Sequence, residues 1–68
     1  MPEDNTPFIT VLRNIRGNWY AAMFVYRRDH DSYEMGNSDP GRYLSREIAE
    51  KKARDWADSI GVEARLGK

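Results

Sequence analysis

The sequence predicts a small α+β domain, an antiparallel sheet in the order β-β-β-α-β with one helix packed on one face. The first half of the chain carries alternating apolar runs bounded by glycine, proline and asparagine. The pattern then changes to a helical period between Ser45 and Gly61 and returns to alternation over residues 62–66. We expect residues 1–7, with two prolines and two acids, to be a flexible leader, and residues 8–68 to form a single α+β domain.

Three strands are expected before the helix. The β-branched residues of segment 8–15 predict the first strand, and residues 16–18 predict a turn, because Gly17 adopts positive φ at no steric cost. Residues 19–26 follow as the second strand, antiparallel to the first because the connection is so short. A polar loop then leads to a short third strand over residues 33–37.

The sequence predicts a helix of about 15 residues with a capping residue at each end. Ser45 is a good N-cap, and Gly61 stands where a left-handed residue ends a helix. Leu44 is expected to pack on Ala49 as a hydrophobic staple. The expected buried stripe consists of Ala49, Ala53, Trp56, Ala57 and Ile60.

The second strand is apolar on both of its faces. One face carries Trp19, Ala21, Met23 and Val25, and the other carries Tyr20, Ala22, Phe24 and Tyr26. We favour the Trp19 face as the inner one, with Ala21 leaving room for Trp56. Ile9, Val11, Val62, Ala64 and Leu66 would complete that core. The opposite assignment is the alternative, and either choice leaves an uncovered apolar patch because one helix covers one face.

Composition narrows the classes of function. The chain has 68 residues, no cysteine, and eleven basic residues against eleven acidic ones. It therefore has no disulfide or thiolate zinc site, and its neutrality is uncommon among small nucleic-acid binders. The sequence contains neither a signal peptide nor an apolar run of membrane-spanning length, so we expect a cytoplasmic protein with no membrane contact.

No arrangement of residues predicts catalysis. His30 is the only histidine and lies between Asp29 and Asp31, but adjacent residues do not converge easily on one metal ion. The glycine-containing segment 36–41 has acid where a phosphate would bind and no lysine after it. We therefore expect no enzymatic activity, metal, cofactor or small-molecule substrate.

A spaced pattern extends from the first turn into the helix. It reads Gly17-x-Trp19-x-Ala21, then Tyr33-x-x-Gly36, then Tyr43-x-Ser45-x-Glu47-x-Ala49-x-x-x-Ala53-x-x-Trp56-Ala57. This pattern resembles the three-stranded-sheet-plus-helix DNA-binding domains of plant ethylene-response factors and the arm-type domains of phage tyrosine integrases. The resemblance implies that the sheet face away from the helix lies in the major groove, read by Arg13, Arg16 and positions 20, 22 and 24. Ala22 and Phe24 depart from the charged or polar residues of those families.

Two functions remain open. The first is a nucleic-acid-binding module with an arginine-flanked aromatic sheet face, whose arginines contact phosphates and whose rings stack on unpaired bases. The candidate residues for binding nucleic acid or a protein partner are Arg13, Arg16, Asn18, Tyr20, Phe24, Tyr26, Arg27 and Arg28. The alternative is a small phage or mobile-element protein-interaction domain, a homodimer or an inhibitor of a host defence or transcription complex. The arginine run and the family resemblance favour the first function, whereas the neutral net charge and the aromatic face favour the second.

Overall fold

A computed structural model describes residues 6–66 as a four-stranded sheet with one helix on one face. The elements are β1 (Phe8–Arg13), β2 (Trp19–Arg27), β3 (Ser32–Ser38), α1 (Arg46–Ile60) and β4 (Glu63–Ala64). The strand order is β3-β2-β1-β4, which confirms the α+β class and the order of elements. Most of the expected leader, residues 1–5, and residues 67–68 at the other terminus lie outside the described residues.

The sheet is mixed rather than wholly antiparallel. β1 and β2 pair antiparallel with Phe8 opposite Phe24, and β3 pairs antiparallel with β2. β4 pairs parallel with β1 and has two residues, so the expected antiparallel strand over 62–66 was wrong in direction and length. The reason is that α1 carries the chain back from the end of β3 to the start of β1. A strand that follows such a crossover enters the sheet parallel to its neighbour.

A β-bulge in β3 shifts the alternation of its side chains between the two faces of the sheet. Met23 pairs with Asn37, but the next residue, Phe24, pairs with Met35, so Gly36 is the extra residue. A Cβ added to Gly36 would lie 3.2 Å from Val25. The bulge therefore suits a residue without a side chain.

The core lies between α1 and the Trp19 face of β2, which confirms the favoured assignment of the two faces. Ile9, Ala21, Ala53 and Ala57 form its buried centre, and Val11, Met23, Trp56, Val62, Ala64 and Leu66 pack around them. Ile9 is the largest fully buried side chain among the described residues. The three helix alanines that are buried, Ala49, Ala53 and Ala57, bring α1 close to the sheet. The core is consequently thin, and most large apolar side chains are only half-buried.

The two helix caps form as predicted. Ser45 accepts a hydrogen bond from the Glu47 N–H at 3.1 Å, and Gly61 has φ 75° with its N–H donating to the carbonyl of Ala57. The sequence of α1 makes it neither long nor apolar enough to cross a membrane, and it is the only helix in residues 6–66.

Two predicted contacts of the helix are wrong. Leu44 is 87% exposed, so it does not pack on Ala49 as a staple. The preceding residue, Tyr43, is bound to Trp19 by two backbone hydrogen bonds of 2.7 and 2.9 Å, which fix the direction in which the chain enters α1. Ile60 is 47% exposed, and the buried stripe therefore ends at Ala57.

Candidate nucleic-acid interface

The sheet face opposite α1, here called the open face, carries four aromatic rings in contact. This aromatic cluster consists of Phe8, Phe24, Tyr26 and Tyr33, all half-buried. Phe8 and Phe24 stack with centroids 5.5 Å apart and planes 11° from parallel. Tyr33 meets Phe8 and Tyr26 edge to face, with centroid distances of 5.0 and 5.4 Å. These geometries are the favourable ones for aromatic pairs, so the rings form a preformed apolar platform.

Polar contacts from three neighbouring segments fix the rim of the aromatic cluster. The Tyr26 hydroxyl donates a hydrogen bond to Asp31 in the β2–β3 turn, and the Tyr33 hydroxyl donates to the carbonyl of Thr6 at 3.2 Å. The Arg65 guanidinium lies 4.6 Å from the centroid of Phe8, in a cation–π contact. The cluster is thus ordered on its own chain before any partner binds.

The β1–β2 turn is organised by one asparagine. The Asn14 Oδ1 accepts hydrogen bonds from the backbone N–H groups of Arg16 and Asn18, both at 2.9 Å. Gly17 has φ 88°, as expected for the residue that closes the turn. Ile15 at the tip is fully exposed. The turn therefore presents an apolar tip next to an exposed arginine.

Four arginines gather at the end of the sheet where β2 begins. This arginine end consists of Arg13, Arg16, Arg42 and Arg46. The backbone bridge between Trp19 and Tyr43 brings the β3–α1 connection beside the first hairpin. The guanidinium carbons of Arg13 and Arg46 lie 5.5 and 5.6 Å from the centroid of the Trp19 ring.

The charges of the arginine end are only partly neutralised. Arg46 pairs with Glu50 at 2.9 Å and also donates to a backbone carbonyl. Arg16 and Arg42 are exposed, and the structure shows no ion pair for either of them within residues 6–66. This end of the molecule is therefore locally positive although the whole chain is neutral.

The other candidate arginines lie at the opposite end of β2. Its nine residues separate Trp19 from Arg27 by roughly 26 Å, at about 3.3 Å per residue. Arg27 pairs with Glu34 at 2.6 Å and with Asp29 at 3.0 Å, and these hydrogen bonds raise its pKa. Arg28 is exposed in the turn beside them. Because acids surround Arg27, this end offers a phosphate far less positive charge than the arginine end.

A hollow opens on the open face next to the arginine end. This Tyr20 hollow has a volume of about 360 Å³ and is lined by Asn14, Tyr20, Met35, Ser38 and the loop 39–42. Its volume is within the ~300–1,000 Å³ typical of small-ligand sites. Tyr20 supplies an aromatic wall, whereas the loop supplies polar groups.

Two hydrogen bonds hold the loop side of the Tyr20 hollow. The Tyr43 hydroxyl donates to Asp39 Oδ2 at 2.9 Å, and the Gly41 N–H donates to Asp39 Oδ1 at 3.0 Å. The bond to Asp39 raises the pKa of Tyr43, because the phenol must keep its proton to donate. A Cβ on Gly41 would overlap the Tyr43 ring, so the loop packs directly over that ring.

The structure divides the predicted site residues among three places. Tyr20, Phe24 and Tyr26 share the open face, as alternation along β2 requires. Arg13 and Arg16 belong to the arginine end, where Asn18 contributes backbone bonds to the turn. Arg27 and Arg28 lie apart from both, at the other end of β2 beside Asp29 and Glu34.

Sequence reasoning missed four residues that complete these surfaces: Phe8, Tyr33, Arg42 and Arg46. The hairpin register would have revealed Phe8, because a turn between Arg13 and Trp19 places Phe8 opposite Phe24. Nothing local indicates that Arg42 and Arg46 join Arg13, since their placement depends on the bridge between Trp19 and Tyr43.

His30 forms no metal site with its neighbours. It is exposed, and its Nε2 lies 3.7 Å from an oxygen of Asp29. Across the described residues 6–66, no three potential metal ligands come together.

Comparison of the chain with protein-family models, with curated proteins and with solved structures found no match, so any functional assignment rests on the geometry of these surfaces.

Proposed function

We propose that this chain is a non-enzymatic module that binds single-stranded nucleic acid along its open face. The observation that carries the proposal is the continuity of three features along β2. Arg42 lines the Tyr20 hollow at the start of β2, and the aromatic cluster follows farther along the same uncovered sheet face, whereas Arg13 and Arg46 lie against Trp19 on the helix side. Arginines fix a strand through its phosphates, and aromatic rings stack on bases with ~1–3 kcal/mol each.

A single strand fits this surface better than a duplex. Reading a base edge in the major groove requires polar side chains that reach the base. Ala22, one of the positions at which the resemblance implies a reader, is fully buried on the open face, and Phe24 has no polar group. Unpaired bases expose their faces to the rings, which duplex bases do not.

Fluorescence anisotropy with a labelled oligothymidine of about 15 nucleotides tests the proposal, since small single-strand binders cover about 4–16 nucleotides per domain. We expect binding at low salt that weakens steeply as salt rises, and weaker binding of a duplex of equal length. Absence of binding to either oligonucleotide at low salt would contradict the proposal.

A charge-removing double variant locates the phosphate contacts. Replacing Arg16 and Arg42 by glutamine removes two exposed charges at the arginine end. Each phosphate contact contributes about 0.7 to the salt slope for single strands, so the slope should flatten by about 1.4. Arg54→Gln is the matched control, because Arg54 is an exposed arginine on α1, away from the open face. Equal effects of the control and the double variant would refute the assignment of the arginine end.

A homodimer through the aromatic cluster is the second candidate function. The rings are already packed on one another, and acids outnumber free arginines at the far end of β2. Such a preformed apolar patch would also supply the buried area that the thin core lacks. Light scattering after size exclusion distinguishes the two functions. A dimer mass that Phe24→Ser converts to a folded monomer, without oligonucleotide binding by the parent, would favour the dimer.

A further inference from the structure

The Tyr20 hollow has several hydrogen-bonding groups around an aromatic wall. Asn14 accepts two backbone hydrogen bonds at Oδ1, which orients its amide and leaves the NH₂ group to donate at the rim. Arg42 lines the hollow as well and has no side-chain partner within the described residues. The rim therefore carries two donors, of which the Asn14 amide is oriented by its own hydrogen bonds.

The rim also carries an acceptor, the carboxylate of Asp39. Each oxygen of Asp39 accepts one hydrogen bond, from Gly41 and from Tyr43, and retains a further lone-pair direction. These two bonds hold the carboxylate in place beside the hollow. The site thus offers both donors and an acceptor to a flat ligand stacked on Tyr20.

We propose that the Tyr20 hollow binds one unpaired guanine and fixes the register of the strand on the open face. This inference rests on the proposed function. Guanine has adjacent acceptors at O6 and N7, which match Arg42 and Asn14, and donors at N1 and N2, which match Asp39. Adenine has a donor at N6 where guanine has O6, so it would place a donor against the donors of the rim.

Two oligothymidines that differ only at a central guanine or adenine test the base preference. We expect the guanine-containing strand to bind about tenfold more tightly, the order expected for one bidentate contact. Arg42→Gln should bring the ratio of the two affinities close to one, whereas Arg54→Gln should leave it unchanged. Both substitutions are on exposed side chains, so the fold is retained.

A second readout does not depend on binding of a strand. Titration of guanosine and adenosine monophosphate, followed by NMR, should shift the resonances of Tyr20, Asn14 and Gly41 with the guanosine nucleotide only. Tyr20→Leu should abolish these shifts, while Arg54→Gln should keep them.

The outcomes separate this inference from the proposed function. Strand binding with equal affinity for guanine and adenine would overturn the guanine site and leave the single-strand platform intact. Guanosine-specific shifts in the absence of any strand binding would support the hollow and overturn the platform. No shifts and no preference would overturn the inference.

Discussion

At the scale of single residues, Asp39 is the group that joins the fold to the candidate site. Its side chain holds Gly41 and Tyr43, and its backbone N–H donates to the carbonyl of Ala21 at 2.9 Å. One aspartate thus ties the loop beside the Tyr20 hollow to the first part of β2. Sequence patterns predict a turn at this segment, but they do not predict which side chain closes it, because that depends on the distant bridge between Tyr43 and Trp19.

The hydrogen bond of Tyr43 predicts a loss of stability at alkaline pH. The pKa of Tyr43 is raised in the folded state, so the folded protein retains the phenolic proton where the unfolded chain releases it. This contribution is complete below pH 10.0, the ordinary pKa of a tyrosine phenol, and declines as the pH rises through the higher pKa of the folded state. Urea unfolding at a series of pH values that extends above 10.0 should show the decline. Tyr43→Phe should make the decline shallower, and an unchanged profile would show that the bond does not form in solution.

Gly41 predicts a steric effect on the same loop. Its Cβ position is occupied by the Tyr43 ring, so Gly41→Ala must displace the ring or the loop. We expect a loss of about 1–3 kcal/mol, the usual cost of overpacking. Thermal unfolding monitored by circular dichroism measures it. Pro40→Ala in the same exposed loop is the control and should cost much less; similar losses for both variants would contradict the steric explanation.

At the scale of elements, the sequence predicts correctly those features that depend on neighbouring residues alone. Gly17, Ser45 and Gly61 each occupy the turn or cap position that their chemistry favours, and the structure confirms all three. The inner face of β2 could also be predicted from the sequence, because the small side chain of Ala21 leaves room for the large side chain of Trp56. The direction of β4 and the exposure of Leu44 could not be predicted from the sequence, since both depend on how α1 crosses the sheet.

A substitution of Trp56 tests how much the packing of α1 against the sheet stabilises the fold. Its side chain packs half-buried against the core, which otherwise contains mainly alanines on the helix side. Trp56→Ala should cost about 3 kcal/mol, the lower part of the range for buried tryptophan. A domain of 68 residues has about 3–10 kcal/mol in total, so the variant should melt far lower or be unfolded.

A substitution at the tip of the β1–β2 hairpin is the control for the stability loss expected at Trp56. Ile15 is fully exposed, so Ile15→Thr removes a large apolar side chain without opening a cavity and should change stability by less than about 0.5 kcal/mol. Guanidinium unfolding curves for both variants give the two values. A loss at Ile15 as large as that at Trp56 would mean that the turn, rather than the helix interface, limits stability.

At the scale of the whole molecule, the fold leaves its two faces unequal. The helix side has a closed but thin core, whereas the open face keeps its aromatic rings half-exposed. The neutral net charge, which counts against nucleic acid when averaged over the chain, divides into a positive arginine end and an acidic turn about 26 Å away. This uneven distribution of charge depends on which segments the fold brings together, so the amino-acid composition cannot predict it.

A ligand that covers the open face should raise the melting temperature of so small a domain considerably. A ligand at 100 times its Kd adds about 2.7 kcal/mol to the folded state, whatever its chemistry. In a domain this small, each kcal/mol raises Tm by about 4–8 °C, so a saturating strand should raise it by roughly 10–20 °C. Differential scanning fluorimetry with and without the guanine-containing oligothymidine measures the shift, and Arg54→Gln serves as the unaffected variant. A Tm that rises with protein concentration and not with oligonucleotide would identify a second copy of the chain as the cover instead.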